Sequence, residues 1–193
     1  KEFAETIKKS YENMLNEENK KQTELLARVI TENFPERGPE QDTATEIIYR
    51  NPSNPASAWR AAYKEINDDL DAELMPYVEK MEMDGKQGVS IVNDPETGRG
   101  IRKSNNPLWY QSMYATLGRA PNKSDYRQYA YEILTDPFAY QEFSGDPLPS
   151  DPQELAKINK NFAAQKELLD NLIGSKRVLE NVKDKITKLT ASE

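Results

Sequence analysis

The sequence predicts an all-α, elongated protein whose long N- and C-terminal helices pack as a stalk. It also predicts a helical head rich in aromatic residues and one small β-hairpin near residues 89–103. Two observations carry this class: apolar residues recur at helical spacing along most of the chain, and the composition is polar. Of the 193 residues, 36% are hydrophobic and 31% are charged, whereas a typical globular domain is about 45–50% apolar. A small apolar supply favours long exposed helices.

The first predicted helix spans residues 2–34. Its apolar side chains recur at steps of three and four, pause over residues 16–24, and then resume before Pro35 ends the helix. These side chains are Phe3, Ile7, Tyr11, Met14, Leu15, Leu25, Leu26, Val29 and Ile30.

The last apolar pattern runs from Asp151 to about Leu189, and its phase slips near Gly174. The slip fits either one helix of period 3.6 or two helices that meet there. The first and last helices each carry an apolar stripe too narrow to be buried on all sides. We therefore expect residues 1–34 and 151–193 to pair, in antiparallel orientation, as the stalk of a single domain.

Residues 41–150 form the predicted head. A short helix is expected over residues 43–50, and a long one starts at Pro55 with Asn54 as its N-cap. Pro76 is expected to kink that helix near residues 72–75. The apolar positions of the long helix hold helical spacing over more than six turns: Trp59, Tyr63, Ile66, Leu70, Leu74, Tyr77 and Met81.

A change of pattern after Asp84 indicates the hairpin. Residues 89–92 are mostly β-branched, residues 93–98 are turn formers, and residues 100–103 supply the return strand. Because an isolated hairpin is marginally stable in water, we expect this one to pack against the helices.

Two short helices complete the predicted head. Asn106 is expected to cap the first, Gly118 to end it, and Ser124 to cap the second. Arg119, in the connector, is placed to bridge to a carboxylate. Asp136 and Pro137 are expected to close the second helix, and residues 138–152 are expected to be mostly loop.

The absence of Cys and His excludes whole classes of chemistry. Thiolate metal sites, disulfides and nucleophile–histidine catalysis all need those side chains. No apolar run approaches the roughly 18 residues of a membrane span, and no signal peptide is visible. We expect no cofactor, no resident metal and no membrane association. Because the chain opens at Lys1, we interpret it as part of a longer polypeptide or a processed product.

An acidic run in the long helix is the candidate for metal chemistry. Two of its carboxylates four residues apart would suit Mg²⁺ or Ca²⁺. The carboxylates, however, fall between apolar core positions, and the simpler interpretation is a solvated helix face. The run comprises Asp68, Asp69, Asp71 and Glu73.

The strongest functional signal is a basic segment, residues 99–131. It holds six basic residues and one acidic residue, so its net charge is +5. Because the whole chain has a net charge of −7, the remainder of the chain carries −12. Basic residues among aromatic ones suit a phosphate backbone with exposed bases, but also suit an acidic protein partner or packing within the chain. The candidate binding residues are Arg102, Lys103, Tyr110, Arg119, Lys123 and Arg127.

Two short motifs in this segment carry a resemblance. SNNPLWY at residues 104–110 and GRAPNKSDY at residues 118–126 place a Trp-Tyr pair before a Gly-Arg-x-Pro connector and a polar helix start. This arrangement resembles helical modules of the large polyvalent proteins of bacteriophages and conjugative elements. The resemblance implies a viral or mobile-element origin and a location in the virion or the bacterial cytoplasm. It supplies no catalytic residues.

The function expected from these observations is a non-catalytic interaction or structural module of a phage or mobile-element protein. Its partner would be another protein or other domains of a parent chain, and the stalk helices could assemble into an oligomer. Two alternatives stay open: a nucleic-acid-binding module, and an enzyme domain that uses carboxylates with a hard metal ion.

Overall fold

The computed structural model describes residues 2–85 and 89–191 and confirms the all-α class with one antiparallel hairpin. In chain order the elements are α1 (Glu2–Asn33), α2 (Pro39–Arg50), α3 (Pro55–Asp84), β1 (Val89–Asn93), β2 (Gly100–Ser104), α4 (Leu108–Leu117), α5 (Lys123–Thr135), α6 (Pro137–Ser144) and α7 (Pro152–Ala191).

Some predicted helix ends are confirmed. The side-chain oxygen of Asn54 accepts from the backbone N–H of Ser57 at 3.2 Å, as an N-cap does. Gly118 has φ 70° and ends α4 in the left-handed region, where glycine carries no Cβ penalty. The apolar phase slip near Gly174 leaves α7 unbroken, so one helix of period 3.6 is the correct interpretation there.

The predicted caps of the two short helices are wrong. Pro107, rather than Asn106, occupies the N-cap position of α4. Asn122, rather than Ser124, caps α5: its side chain accepts from the backbone N–H of Asp125, and Asp125 accepts in return from that of Asn122. This reciprocal box satisfies two N–H groups that Ser124 would leave open.

The loop predicted after Asp136 is also wrong, because α6 begins there. Asp136 closes α5 and at the same time accepts from the backbone N–H of Phe138 at 2.9 Å, which makes it the N-cap of α6. Pro137 takes the first helical position, and Gly145 ends the helix at φ 76°. The pair that stops one helix therefore starts the next.

The chain divides into two compact units. One comprises residues 1–67 and 174–193, and its core joins α2, α3 and α7 with Phe34, which directly follows α1. Trp59 anchors this core: its indole N–H donates to the Leu179 carbonyl at 2.7 Å, and its ring stacks on Tyr63 at 4.8 Å. The buried residues of this core are Phe34, Ala44, Ile47, Ala58, Trp59, Leu179, Val182 and Ile186.

Within this unit, α1 meets α7 at its C-terminal end. Lys185 Nζ donates to the Asn33 carbonyl at 3.0 Å and lies 5.1 Å from the centre of the Phe34 ring. Residues 2–25 are exposed, and Phe3 keeps 79% of its surface. The apolar stripe that predicted a stalk thus packs only over its last turns among the described residues.

The other unit comprises residues 68–173. Its core is aromatic, as predicted for the head: Trp109 lies 6.0 Å from Tyr129 in a stacked pair and 5.5 Å from Phe143. The buried residues are Leu74, Val78, Met81, Trp109, Tyr126, Ala130 and Ile133.

Candidate functional site

The hairpin is shaped by its turn. Asp94 accepts from the backbone N–H of Glu96 at 3.0 Å and from the hydroxyl of Thr97 at 2.8 Å. These two hydrogen bonds stabilise the carboxylate and hold the pKa of Asp94 below its usual value. Gly98 then takes φ 68° in the bulge that returns the chain to β2. These local hydrogen bonds therefore stabilise the turn.

The strands expose apolar side chains on both faces of the hairpin. Ile91 pairs with Arg102 and Val92 with Ile101, and residues paired across two strands share a face. Ile91 is 76% exposed, Val92 47% and Ile101 50%. The expected packing of the hairpin against the helices is therefore wrong for these side chains.

Three cations accompany these apolar side chains. Arg99, Arg102 and Lys103 are all exposed. Within residues 2–85 and 89–191 none of the three has a carboxylate within ion-pair distance. We call Ile91, Val92, Ile101, Arg99, Arg102 and Lys103 the hairpin surface.

Arg119 instead bridges the α4–α5 connector, as expected. Its guanidinium donates to Asp125 Oδ2 at 2.6 Å and Oδ1 at 3.3 Å. The hydrogen bond raises the pKa of Arg119 and lowers that of Asp125. Since Asp125 is also part of the α5 capping box, Arg119 braces a helix start.

Arg127 is paired as well. Its Nη1 donates to Asp71 Oδ1 at 2.6 Å, which joins α5 to α3. Glu73, two residues further along α3, accepts from Gln165 Nε2 of α7 at 2.8 Å. Two members of the acidic run thus bond to neighbouring helices, so the solvated-face interpretation is wrong for Asp71 and Glu73.

The aromatic residues of the basic segment are largely internal. Trp109 is 5% exposed and Tyr126 6% exposed, and Tyr110 is half-buried with its ring 6.0 Å from that of Trp109. Lys123, the first residue of α5, is exposed. The six predicted binding residues are therefore divided: Arg102, Lys103 and Lys123 face solvent, Arg119 and Arg127 hold ion pairs, and Tyr110 joins the core.

A cleft between α4, α5 and α6 is the feature that the sequence did not indicate. It has a volume of about 280 Å³. Trp109, Met113 and Tyr129 supply its apolar side, and Glu132 and Glu142 its acidic side. Glu142 belongs to the stretch predicted as loop, so the cleft could not be assembled before α6 was known.

Comparisons with known proteins found no relative of this chain. No protein-family model, no curated protein and no solved structure matches the chain. Over the described residues, no group of three or more acidic side chains is arranged to hold a metal ion. In the same residues, no helix is both long and apolar enough to cross a membrane.

Proposed function

We propose that the chain is a non-catalytic interaction module that binds a protein partner through the hairpin surface. One observation carries the proposal: three large apolar side chains stay 47–76% exposed beside three cations that have no ion-pair partner in the described residues. Single exposed apolar residues are ordinary, but Val92 and Ile101 form an exposed apolar pair on one face, and such a pair flanked by cations is typical of an interface.

The chemistry of the surface defines the partner. Burying Val92 and Ile101, which share one face of the hairpin, removes apolar area from water, worth about 25 cal/mol per Å². The cations then need carboxylates opposite them, because a charge buried without a partner is costly. The partner is therefore a protein surface that presents apolar side chains among Asp and Glu.

Two observations favour a protein over a nucleic acid. Trp109 and Tyr126 are enclosed, so their rings are not free to stack on bases. Arg119 and Arg127 are held in ion pairs, which removes two of the cations that would contact phosphates.

The resemblance of residues 104–126 to modules of phage and mobile-element proteins agrees with such a role. Those are long chains in which enzymes alternate with helical modules, and a module that docks a neighbour through a surface hairpin suits that organisation. The origin in a phage or mobile element is part of this proposal.

The test is a selection from a random peptide display library on the full chain. We expect selected peptides to combine carboxylates with β-branched or aromatic residues, and to lose binding to the triple variant R99E/R102E/K103E. The matched control is K157E/K160E/K166E, which makes the same charge change at exposed positions of α7 and should keep binding.

Two outcomes contradict the proposal. One is a selection whose peptides bind both triple variants equally, which places the interface elsewhere. The other is tight binding of duplex DNA that falls with salt at a log–log slope of about −0.9 per phosphate contact and is lost in R99E/R102E/K103E. That result would assign the hairpin surface to nucleic acid.

A further inference from the structure

The cleft between α4, α5 and α6 has the composition of a ligand site. α4 and α5 contribute Trp109, Met113, Leu117 and Tyr129 as its apolar lining. Pockets in proteins commonly pair such a lining with a few polar groups that fix the orientation of a ligand. Here those groups are the carboxylates Glu132 of α5 and Glu142 of α6.

Two of the three carboxylates that line the cleft have no cation paired with them in the described residues. Asp125 also lines the cleft, but Arg119 already neutralises it at 2.6 Å. Glu132 and Glu142 have no ion-pair partner among the described residues. The cleft therefore offers two carboxylates next to an apolar lining and no cation to match them.

Tyr129, which lines the cleft, is affected by the negative charges of both carboxylates. Its hydroxyl is enclosed and has no hydrogen-bond partner in the described part of the chain. Burial raises the pKa of Tyr129 to about 12, with contributions from the negative charges of Glu142 and Glu132. Tyr129, Glu132 and Glu142 thus line one cleft, and an ammonium group bound there would offset the two negative charges.

We propose that this cleft binds a primary alkylammonium group, the chemistry of a lysine side chain. The alkyl stem would pack on Trp109, Met113 and Tyr129, and the ammonium would pair with Glu132 and Glu142. A long basic side chain uses its parts in this way when the stem lies on apolar surface and the head stays polar.

The size and charge of the cleft select this ligand class. At about 280 Å³ the cleft lies just below the roughly 300–1,000 Å³ range of drug-sized ligands, so it suits one side chain or a small amine. An anion would be repelled by the two exposed carboxylates, and a neutral alkyl group would gain nothing from their charge. The site is separate from the hairpin surface and does not depend on the proposed function.

The test is a titration of the full chain with n-butylammonium, followed by the indole N–H resonance of Trp109 and the methyl resonance of Met113. We expect saturable shifts with a Kd on the order of millimolar, as the few heavy atoms of this probe allow. 1-Butanol, the neutral analogue, should bind more weakly, and butyrate should not bind.

Paired variants separate the site from general charge attraction. E132Q/E142Q should weaken n-butylammonium roughly fivefold or more, since two partly exposed ion pairs are lost. The control E79Q/E96Q makes the same charge change at exposed residues outside the cleft and should leave the affinity within about twofold of the unmodified chain.

A second arm distinguishes the source of the ammonium. Nα-acetyl-lysine methylamide should bind at least as tightly as n-butylammonium if the natural ligand is a lysine of a partner. Weaker binding of this compound assigns the cleft to a free amine, which keeps the proposed ligand class. The proposal is overturned if n-butylammonium and 1-butanol shift Trp109 alike, if no shift saturates, or if E132Q/E142Q binds as tightly as E79Q/E96Q.

Discussion

Two tyrosines on α5 are held in their neutral form for different reasons. The hydroxyl of Tyr131 donates to Asp170 Oδ1 at 2.5 Å, and this hydrogen bond is the main cause that raises the pKa of Tyr131 to about 12. Burial is the main cause for Tyr129, whose pKa also rises to about 12. The unperturbed value is about 10.

These shifts predict a loss of stability in alkali. A group whose pKa is higher in the folded than in the unfolded chain stabilises the fold fully below its unfolded pKa, and this contribution disappears as the pH passes the folded pKa. For Tyr129 and Tyr131 the window is about pH 10–12. We expect the free energy of unfolding, measured by urea denaturation, to fall with pH across that window.

The decisive measurement is the slope of the free energy of unfolding against pH, rather than its value at one pH. Y129F/Y131F removes both phenols and should flatten the slope between pH 10 and 12. Y114F changes a tyrosine that is 50% exposed and should leave the slope unchanged. An equal slope in the double variant and the unmodified chain would contradict the assignment to these two phenols.

Among the elements, the long periodic helices, the hairpin and the short helices α2, α4 and α5 were predictable, whereas α6 was not. α3 is predicted because its apolar positions keep one face over many turns, and the turn before Gly98 is predicted because its residues bond to one another. α6 is only eight residues long, too short for a periodic pattern, and its capping residue also ends α5.

In the candidate site, too, local contacts were predictable and long-range contacts were not. The Arg119–Asp125 pair spans six residues of one connector, so a local argument predicted that Arg119 would meet a carboxylate. The Arg127–Asp71 pair spans 56 residues and exists only once α5 packs on α3. The exposure of Arg102 and Lys103 likewise depends on how the helices pack around the hairpin, and no pattern in the sequence predicts that packing.

The apolar stripe on α1 is exposed over residues 2–25. Ile7 is 54% exposed, whereas Ile186 of α7 is fully buried in the core of the same unit. I186A should therefore lower the free energy of unfolding by about 2–5 kcal/mol, the range for a buried Ile cut to Ala. I7A should change it by less than about 0.5 kcal/mol, since it loses little buried surface.

Urea denaturation at two protein concentrations measures both variants. A loss in I7A close to that in I186A at both concentrations would mean that α1 packs along its whole length within one chain. A loss in I7A that appears only at the higher concentration would indicate that a second copy covers the stripe. That result would support the oligomer expected from the terminal helices, and light scattering would give its size.

The described residues form two separate cores. The core of residues 1–67 and 174–193 centres on Trp59, and the core of residues 68–173 centres on Trp109. The two lists of buried residues share no member, although α3 contributes to both and α7 runs through both units. Cooperative units of a protein often coincide with such separately packed parts.

This division predicts where a core substitution acts. Val78 and Val182 are both fully buried, one in each core. V78A should lower the hydrogen-exchange protection of amides mainly within residues 68–173, and V182A mainly within residues 1–67 and 174–193. Each loss should be about 1–3 kcal/mol, because a buried methyl pair is removed and a small cavity is left.

In the double variant the two losses should add to within about 0.5 kcal/mol, as expected of sites with no shared partner. Equal loss of protection in both units from either single variant would show one cooperative fold, because α3 and α7 would then transmit the damage from one core to the other.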